Sequence, residues 1–175
     1  MIYALCVAPL LSGVVRIAQS TVPIVHYAPQ AIWVVNQFLL ILLMWWALWA
    51  FRSIDWTFSD FVFIAIEPVL LFFACSLLYP QSIDGAQVNL KSHFEKISGV
   101  FYATTFVLII FLSFDGVFLG IEPVWNINRY FQTGVLVIIA WAFVDRRSVS
   151  QFAASIIYFV TAVGFIGYRW LSPPG

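Results

Sequence analysis

The sequence predicts an all-α membrane protein, and both its composition and its hydropathy pattern indicate this class. Of its 175 residues, 63% are hydrophobic and 9% are charged, whereas soluble domains have about 45–50% and about 25%. A chain this small has too much surface to hide so many apolar side chains from water. We therefore expect a single transmembrane domain over residues 1–175, a helical bundle whose main partner is the lipid bilayer.

Six apolar stretches reach or approach the roughly 17 to 25 residues of a spanning helix. In chain order they are residues 1–18, 29–51, 56–79, 100–119, 130–144 and 152–170. The first is apolar like a signal peptide but lacks the positively charged start of one. The connections are rich in the Pro, Gly, Asp, Asn and Ser residues that are typical of helix ends. We expect six spans, or five if the first stretch lies flat on the membrane surface.

Basic residues near the span ends predict the orientation, because cytoplasmic loops retain more Lys and Arg. The first, third and fifth connections hold five: Arg16, Lys91, Lys96, Arg146 and Arg147. The opposite side holds three: Arg52, Arg129 and Arg169. This excess places the loop of residues 81–98 in the cytoplasm and both termini outside.

Six of the eight tryptophans fall at span ends on the side opposite the lysines: Trp45, Trp46, Trp49, Trp56, Trp125 and Trp170. Indole rings favour the membrane interface, where the ring is half apolar and its N–H finds water. We interpret these residues as an interfacial aromatic belt. The alternative is an aromatic cage that binds a cationic or flat ligand.

The stretch "MWWALWAFRSIDWTFSDF", followed by "EPVLLFFACSLLYP", resembles a family of small bacterial multi-spanning membrane proteins of unassigned function. In that family a Trp-rich second span leads through Trp-Thr-Phe into a third span, which carries a proline and ends at Leu-Phe/Tyr-Pro. The similarity covers about residues 30–80. It implies a polytopic fold in the bacterial cytoplasmic membrane and carries over no activity and no catalytic residues.

A carboxyl group, Glu67, lies near the middle of the third span. A charge at this depth costs at least ~2.5 kcal/mol, so an intramembrane acid is a functional-site hypothesis. The next residue is Pro68, which cannot bond the Ile64 carbonyl, so a neutral Glu67 could donate to that carbonyl. Other polar residues fall at comparable depths: Asn36, Gln37, Thr104, Thr105 and Thr161. We expect a mid-membrane polar layer that either binds a proton, an ion or a small solute, or joins helices by hydrogen bonds.

Two further features concern contacts. Four residues of opposite charge are predicted near the outer surface, where such pairs are worth about 0 to 1 kcal/mol; they are Arg52, Asp60, Asp115 and Arg129. Gly164 and Gly167 give the last span a small-residue face that permits close helix approach. Packing within the chain would explain that face, and so would a protein partner or a second copy of the chain.

No enzyme motif is present: HExxH, GxSxG, the P-loop and the dinucleotide fingerprint are all missing. We therefore expect no enzyme and no catalytic residues. His26 and His93 lack the spacing of a zinc site, so we expect no metal and no cofactor. Eight Lys+Arg balance eight Asp+Glu, which argues against a nucleic-acid partner. The favoured function is a non-catalytic accessory or scaffold subunit of a membrane complex. The alternative is a small-solute or proton carrier or channel that uses the polar layer around Glu67.

Overall fold

Six α-helices form nearly all of the computed structural model, which describes residues 2–82 and 87–171, without the side chains of residues 2, 50, 53 and 169–171. The helices are α1 (Ile2–Ala18), α2 (Ala28–Ala47), α3 (Phe58–Leu77), α4 (Leu90–Phe118), α5 (Ile127–Val144) and α6 (Ser148–Leu171). A 3₁₀ segment, Leu48–Ser53, follows α2. Two short strands, β1 (Ile24–Val25) and β2 (Val88–Asn89), lie in the connections before α2 and α4.

The predicted class is confirmed: the chain is an all-α, multi-pass membrane protein. Five helices, α2 to α6, are long and apolar enough to cross a membrane. The remaining helix, α1, is apolar but has 17 residues. It runs in the same direction as α3, because Tyr3 bonds Glu67 and Arg16 bonds Gln81. The described part of α1 therefore lies beside the second half of α3.

The largest boundary correction concerns α4, which begins at Leu90 rather than at residue 100. Asn89 caps this helix, since its side chain accepts a hydrogen bond from the Ser92 N–H at 3.0 Å. An ion pair with i,i+4 spacing, Lys91–Glu95 at 3.8 Å, lies in the first turns. Residues expected in a cytoplasmic loop, including His93, are thus helical. Smaller shifts occur elsewhere: α2 ends at Ala47, and α6 begins at Ser148.

The helices pack as a ring. Helices α3, α4, α5 and α6 contact one another in sequence order, while α1 packs against α3 and α2, and α2 closes the ring against α6. α2 also touches α4, so one side of it faces the centre. Trp33 of α2 is fully buried there. Its ring centroid lies 5.3 Å from Phe101, 5.5 Å from Tyr102 and 5.0 Å from Tyr158.

The two ends of the bundle differ. At one end β1 and β2 pair in parallel, Ile24 with Val88 and Val25 with Asn89, and so join the first and third connections. We call this end, with residues 19–27, 78–82, 87–89 and 145–147, the inner face. The opposite end, with residues 48–57 and 119–126, is the outer face. The names follow the predicted orientation, and the pairing of the strands supports the prediction that the first and third connections share a side.

Candidate functional site

The candidate site is a carboxyl group in the middle of α3. Glu67 is 1% exposed, and it is the tenth of the 20 residues of the helix, about 15 Å from either end at 1.5 Å per residue. The Tyr3 hydroxyl donates a hydrogen bond to Oε2 at 2.9 Å. Oε1 has no hydrogen-bond partner. The buried Glu67 carboxyl group thus has one hydrogen-bonded oxygen and one open oxygen, which has no partner.

The local sequence explains why α3 carries the acid to this depth. Thr57 and Asp60 form a capping box: the Asp60 carboxylate accepts from the Thr57 N–H at 2.9 Å and from its hydroxyl at 2.7 Å. The helix continues through Pro68. On the neighbouring helix α1, Cys6 Sγ donates a hydrogen bond to the Pro68 carbonyl at 3.3 Å. Glu67 bonds Tyr3 on α1, whereas the sequence had suggested a bond to the Ile64 carbonyl.

A second acid, Asp115 of α4, faces Glu67. One turn before Glu67, the Phe63 ring stacks on Phe118 at 4.3 Å and packs on Phe111 at 5.3 Å. Positions 111, 115 and 118 share one face of a helix, so Asp115 points toward α3. Its charge acts on both Glu67 and Tyr3. Two carboxyl groups on facing helices therefore occupy one electrostatic environment.

Polar side chains continue from Asp115 to the outer face. Its own charged neighbours are Glu122 and Arg129. Glu122 packs on Gly116, where a Cβ would lie 3.0 Å from its Cγ. The Glu122 carboxylate also accepts from Asn126 at 2.7 Å and from Asn128 at 3.2 Å. The absence of a side chain at position 116 thus lets a loop carboxylate approach the Asp115 turn of α4.

The rest of the predicted polar layer is placed unevenly. Asn36, Gln37 and Thr105 are fully buried. Asn36 donates to the Ser155 carbonyl at 2.9 Å, and Thr105 donates to a carbonyl of its own helix. Neither amide atom of Gln37 has a partner. Among the described residues, no hydrogen bond links these three side chains to Glu67.

Thr161 lies outside this layer. Its hydroxyl donates at 2.8 Å to Ile157 of its own helix, on a side that is not buried. The residue of α6 opposite Asn36 is Ser155, and six residues of helix separate Ser155 from Thr161 by about 9 Å. The depth match with Asn36 was therefore wrong, because the sequence does not reveal how far α6 is shifted along α2.

The predicted outer-face charges do not form an ion-pair network. In the described parts of the chain the ion pairs are Lys91–Glu95 and Asp145–Arg147, both toward the inner face. Asp60 caps its own helix. Arg52 lies 5.5 Å from the ring centroid of Trp49, and Arg129 donates to Gln132 at 2.8 Å. Of the four residues, Arg129 is the one whose charge acts on Asp115.

Five of the six belt tryptophans are exposed at the outer face, by 43% to 79%: Trp45, Trp46, Trp49, Trp56 and Trp125. The side chain of Trp170 lies outside the described part of the structure. This placement agrees with an interfacial belt, and the role itself stays a prediction. Gly164 and Gly167 have open space above them, with no atom within 4 Å of an added Cβ. Packing within the described chain therefore does not explain the small-residue face.

Sequence reasoning missed Tyr3, the direct partner of Glu67, and a buried group centred on Gln151. Gln151 accepts a hydrogen bond from the Tyr102 hydroxyl and donates to the carbonyls of Ala142 and Asp145 at 2.8 and 2.9 Å. The sequence does contain a feature that could have identified both residues, since Tyr3 and Gln151 are polar groups in or beside apolar stretches. What the sequence lacks is the pairing of α1 with α3.

No group of three or more His, Cys, Asp or Glu side chains that could hold a metal occurs in residues 2–82 and 87–171. His93 bonds the Leu77 carbonyl through a ring nitrogen at 3.0 Å. The two cysteines, Cys6 and Cys75, are free and buried. The polar interior thus offers carboxyl, phenol, amide and hydroxyl groups.

Comparison of the chain with protein-family models, with curated proteins and with solved structures found no match, so its function has to be argued from the residues described above.

Proposed function

We propose that the protein binds and releases a proton at Glu67 and acts as a proton carrier in its membrane. The open Oε1 of a side chain that is 1% exposed carries this proposal. A buried polar atom without a partner costs about 1–3 kcal/mol. A glutamine, or an apolar residue, would avoid the further cost of an acid at bilayer depth. This cost supports a titrating role for the acid, which helix packing alone would not require.

The ligand we propose is a proton because the site has few oxygen donors. Two carboxyl groups and one phenol fall short of the six to eight oxygens that Ca²⁺ takes. Among the described residues, the groups that act on Glu67 are Asp115 through its charge and Tyr3 through its hydrogen bond, and neither is cationic. A neutral, protonated Glu67 is the resting form that such surroundings favour.

A second candidate is the accessory or scaffold subunit that composition and the missing motifs favour. The open face around Gly164 and Gly167 supports it, because small residues let a neighbouring helix approach closely. In this proposal the chain is no enzyme, and the partner is another membrane protein or a second copy. Purification in mild detergent followed by mass spectrometry separates the cases: a stoichiometric partner favours the subunit, and the chain alone favours the carrier.

The setting we propose is the bacterial cytoplasmic membrane. The resemblance of residues 30–80 to small bacterial membrane proteins supports this setting. The larger number of basic residues at the inner face supports an orientation with that face in the cytoplasm.

Proton flux in proteoliposomes tests the carrier directly. The purified protein is reconstituted with a pH-sensitive dye inside, and an imposed pH difference drives flux. We expect Glu67→Gln to fold normally and to lose the flux, since glutamine keeps the size and the hydrogen-bonding capacity but cannot titrate. Glu95→Gln, at an exposed acid near the inner face, is the matched control and should retain it. Undiminished flux in a well-folded Glu67→Gln variant would leave Glu67 as a helix-joining residue and favour the subunit.

A further inference from the structure

We propose, on the basis of the proton site above, that the proton reaches Glu67 from the outer face through Asp115, and that this conformation is closed toward the inner face. The proposal adds a direction and a second acid to the function. It rests on two contrasting sets of side chains around Glu67, one polar and one apolar.

The outer set contains a series of polar side chains, which lie beside the Phe63–Phe118 stack. Glu122 lies in the outer-face connection and reaches the Asp115 turn over Gly116. Asp115 lies close enough to Glu122 and Arg129 for their charges to act on it, and it points toward α3, where its own charge acts on Glu67. Each step joins groups that can carry a proton or can stabilise a carboxylate that has just lost one.

The inner set is apolar and tightly packed. Between Glu67 and the inner face, four residues of α3 and its C-cap are 0% exposed: Leu71, Ala74, Cys75 and Leu78. Cys6 and Leu10 of α1 cover them, at 0% and 2% exposure. The eleven residues from Glu67 to Leu78 span about 16 Å. Buried water needs two to four polar partners, and the buried side chains from Leu71 to Cys75 offer only a thiol, which bonds weakly. The amide of Gln30 and the ring of His93 bond the carbonyls of Leu78 and Leu77 at the inner end of this stretch.

This tightly packed apolar region ends at Gly13 of α1. A Cβ at this position would overlap the ring of Tyr79, so α1 and the end of α3 lie in direct contact there. Release of a proton to the inner face therefore requires α1 to move relative to α3. Pro9, one turn before this contact in α1, and Pro68, next to Glu67 in α3, each remove a backbone hydrogen bond, which makes both helices easier to bend.

Few groups compete for the proton. Tyr3 and, beside it, Cys6 approach from α1, and Asp115 approaches from α4. α2, the third helix against α3, has no titratable residue between Ala28 and Ala47. Tyr3 bonds Oε2, so Oε1 is the open position.

The transfer step conserves charge. The Asp115 carboxylic acid gives its proton to the Glu67 carboxylate, which becomes neutral, and Asp115 becomes a carboxylate near Arg129. A hydronium ion at the outer face then protonates Asp115 again and becomes water.

The experiment compares flux through Glu67→Gln, Asp115→Asn and Asp115→Glu proteins in the same vesicles. A positioned proton-transfer group contributes about 100-fold or more to a rate, so Asp115→Asn should lower flux by about 100-fold, and Asp115→Glu should retain most of it. If Glu67→Gln abolishes flux while Asp115→Asn stays near the parent, the outer route is overturned and the proton site stands. If Glu67→Gln has no effect, the proton site fails and the route fails with it.

A second measurement tests the outer route independently, for the case that the Asp115→Asn protein does not fold. Asn128→Cys places a thiol on the side chain that bonds Glu122, and an impermeant thiol reagent added from the outer side modifies it after reconstitution. The native cysteines are fully buried and should not react. We expect modification to block flux. Val124→Cys, exposed on the same connection, is the control. Equal flux before and after modification at position 128 would overturn the outer route.

Discussion

The Tyr3 hydroxyl fixes one oxygen of Glu67 and leaves the other open. A carboxyl group with two free oxygens could rotate toward the backbone, as the sequence alone suggested for the Ile64 carbonyl. The phenol prevents this by bonding from a different helix. The position of the open oxygen thus depends on a residue 64 positions away in the chain.

Removal of the Tyr3 hydroxyl group tests how much its hydrogen bond contributes to stability. We expect Tyr3→Phe to lower the unfolding free energy by about 0.6 to 1.7 kcal/mol, the range for hydrogen bonds between helices in membranes. Thermal unfolding in detergent measures the change. Tyr130→Phe, at a side chain that is 69% exposed, is the control and should unfold like the parent. Equal stability of the two variants would argue that the Tyr3 bond contributes nothing.

A carboxyl group outside the spans gives a pH prediction. The Ser150 hydroxyl, 2.7 Å away, and the Arg147 backbone N–H lower the pKa of Asp145 below its usual value. A lowered folded-state pKa stabilises the fold above the unfolded pKa of about 3.9, and this stabilisation is lost as pH falls through the folded pKa. Ser150→Ala should therefore raise the Asp145 pKa. An NMR titration of the carboxyl carbon measures it, with Ser76→Ala as a control. An unshifted pKa would show that the hydroxyl is not the cause.

At the scale of elements, the contact of α1 with α3 closes the inner side of the site. Gly13 permits that contact, because Tyr79 fills the space where a side chain would stand. Gly164 and Gly167 of α6 differ, since nothing lies within 4 Å of them. Glycine thus permits close helix packing in α1, whereas in α6 it leaves an uncovered surface.

The two kinds of glycine should respond differently to substitution. We expect Gly13→Leu to separate α1 from α3 and to destabilise the protein by about 1–3 kcal/mol through overpacking. Gly164→Leu should leave the stability of the monomer within about 0.5 kcal/mol, as at other uncovered sites. Unfolding midpoints in detergent compare the two. Similar losses would mean either that α1 can shift freely or that the α6 face is covered by another chain.

The sequence could predict the spans because hydropathy reports burial in lipid, and it could predict Glu67 because an acid is conspicuous there. It could not predict the first turns of α4. That helix has 29 residues, about 43 Å, which exceeds the roughly 30 Å of hydrocarbon, so its polar start resembles a loop. Tyr3 was missed and Thr161 was misplaced for one reason: the sequence does not give the pairing and shift of helices distant in the chain.

At the scale of the whole molecule, the ring of helices places three of the five connections at the inner face and two at the outer face. The parallel β1–β2 pair and the Arg16–Gln81 bond hold the first and third connections together. Gln151 joins α6 to the end of α5 on the same side. The inner face is thus tied together by main-chain and side-chain bonds.

Accessibility labelling tests this arrangement in the membrane. Ser92→Cys and Ser148→Cys, both exposed toward the inner face, should react with an impermeant thiol reagent from one side. Val124→Cys at the outer face should react from the other. The cysteine-free background is not needed, because Cys6 and Cys75 are fully buried. Labelling of all three positions from one side would contradict the topology.

The central claim is that Glu67 holds a proton in the membrane interior, and infrared spectroscopy of the reconstituted protein tests it most directly. We expect absorption by protonated carboxyl groups at neutral pH, with a component that is absent in Glu67→Gln and shifted in Tyr3→Phe, because the phenol bonds that carboxyl group. The matched Glu95→Gln protein should retain this component. A spectrum without a protonated carboxyl band at neutral pH, or with a band that Glu67→Gln leaves unchanged, would contradict the claim.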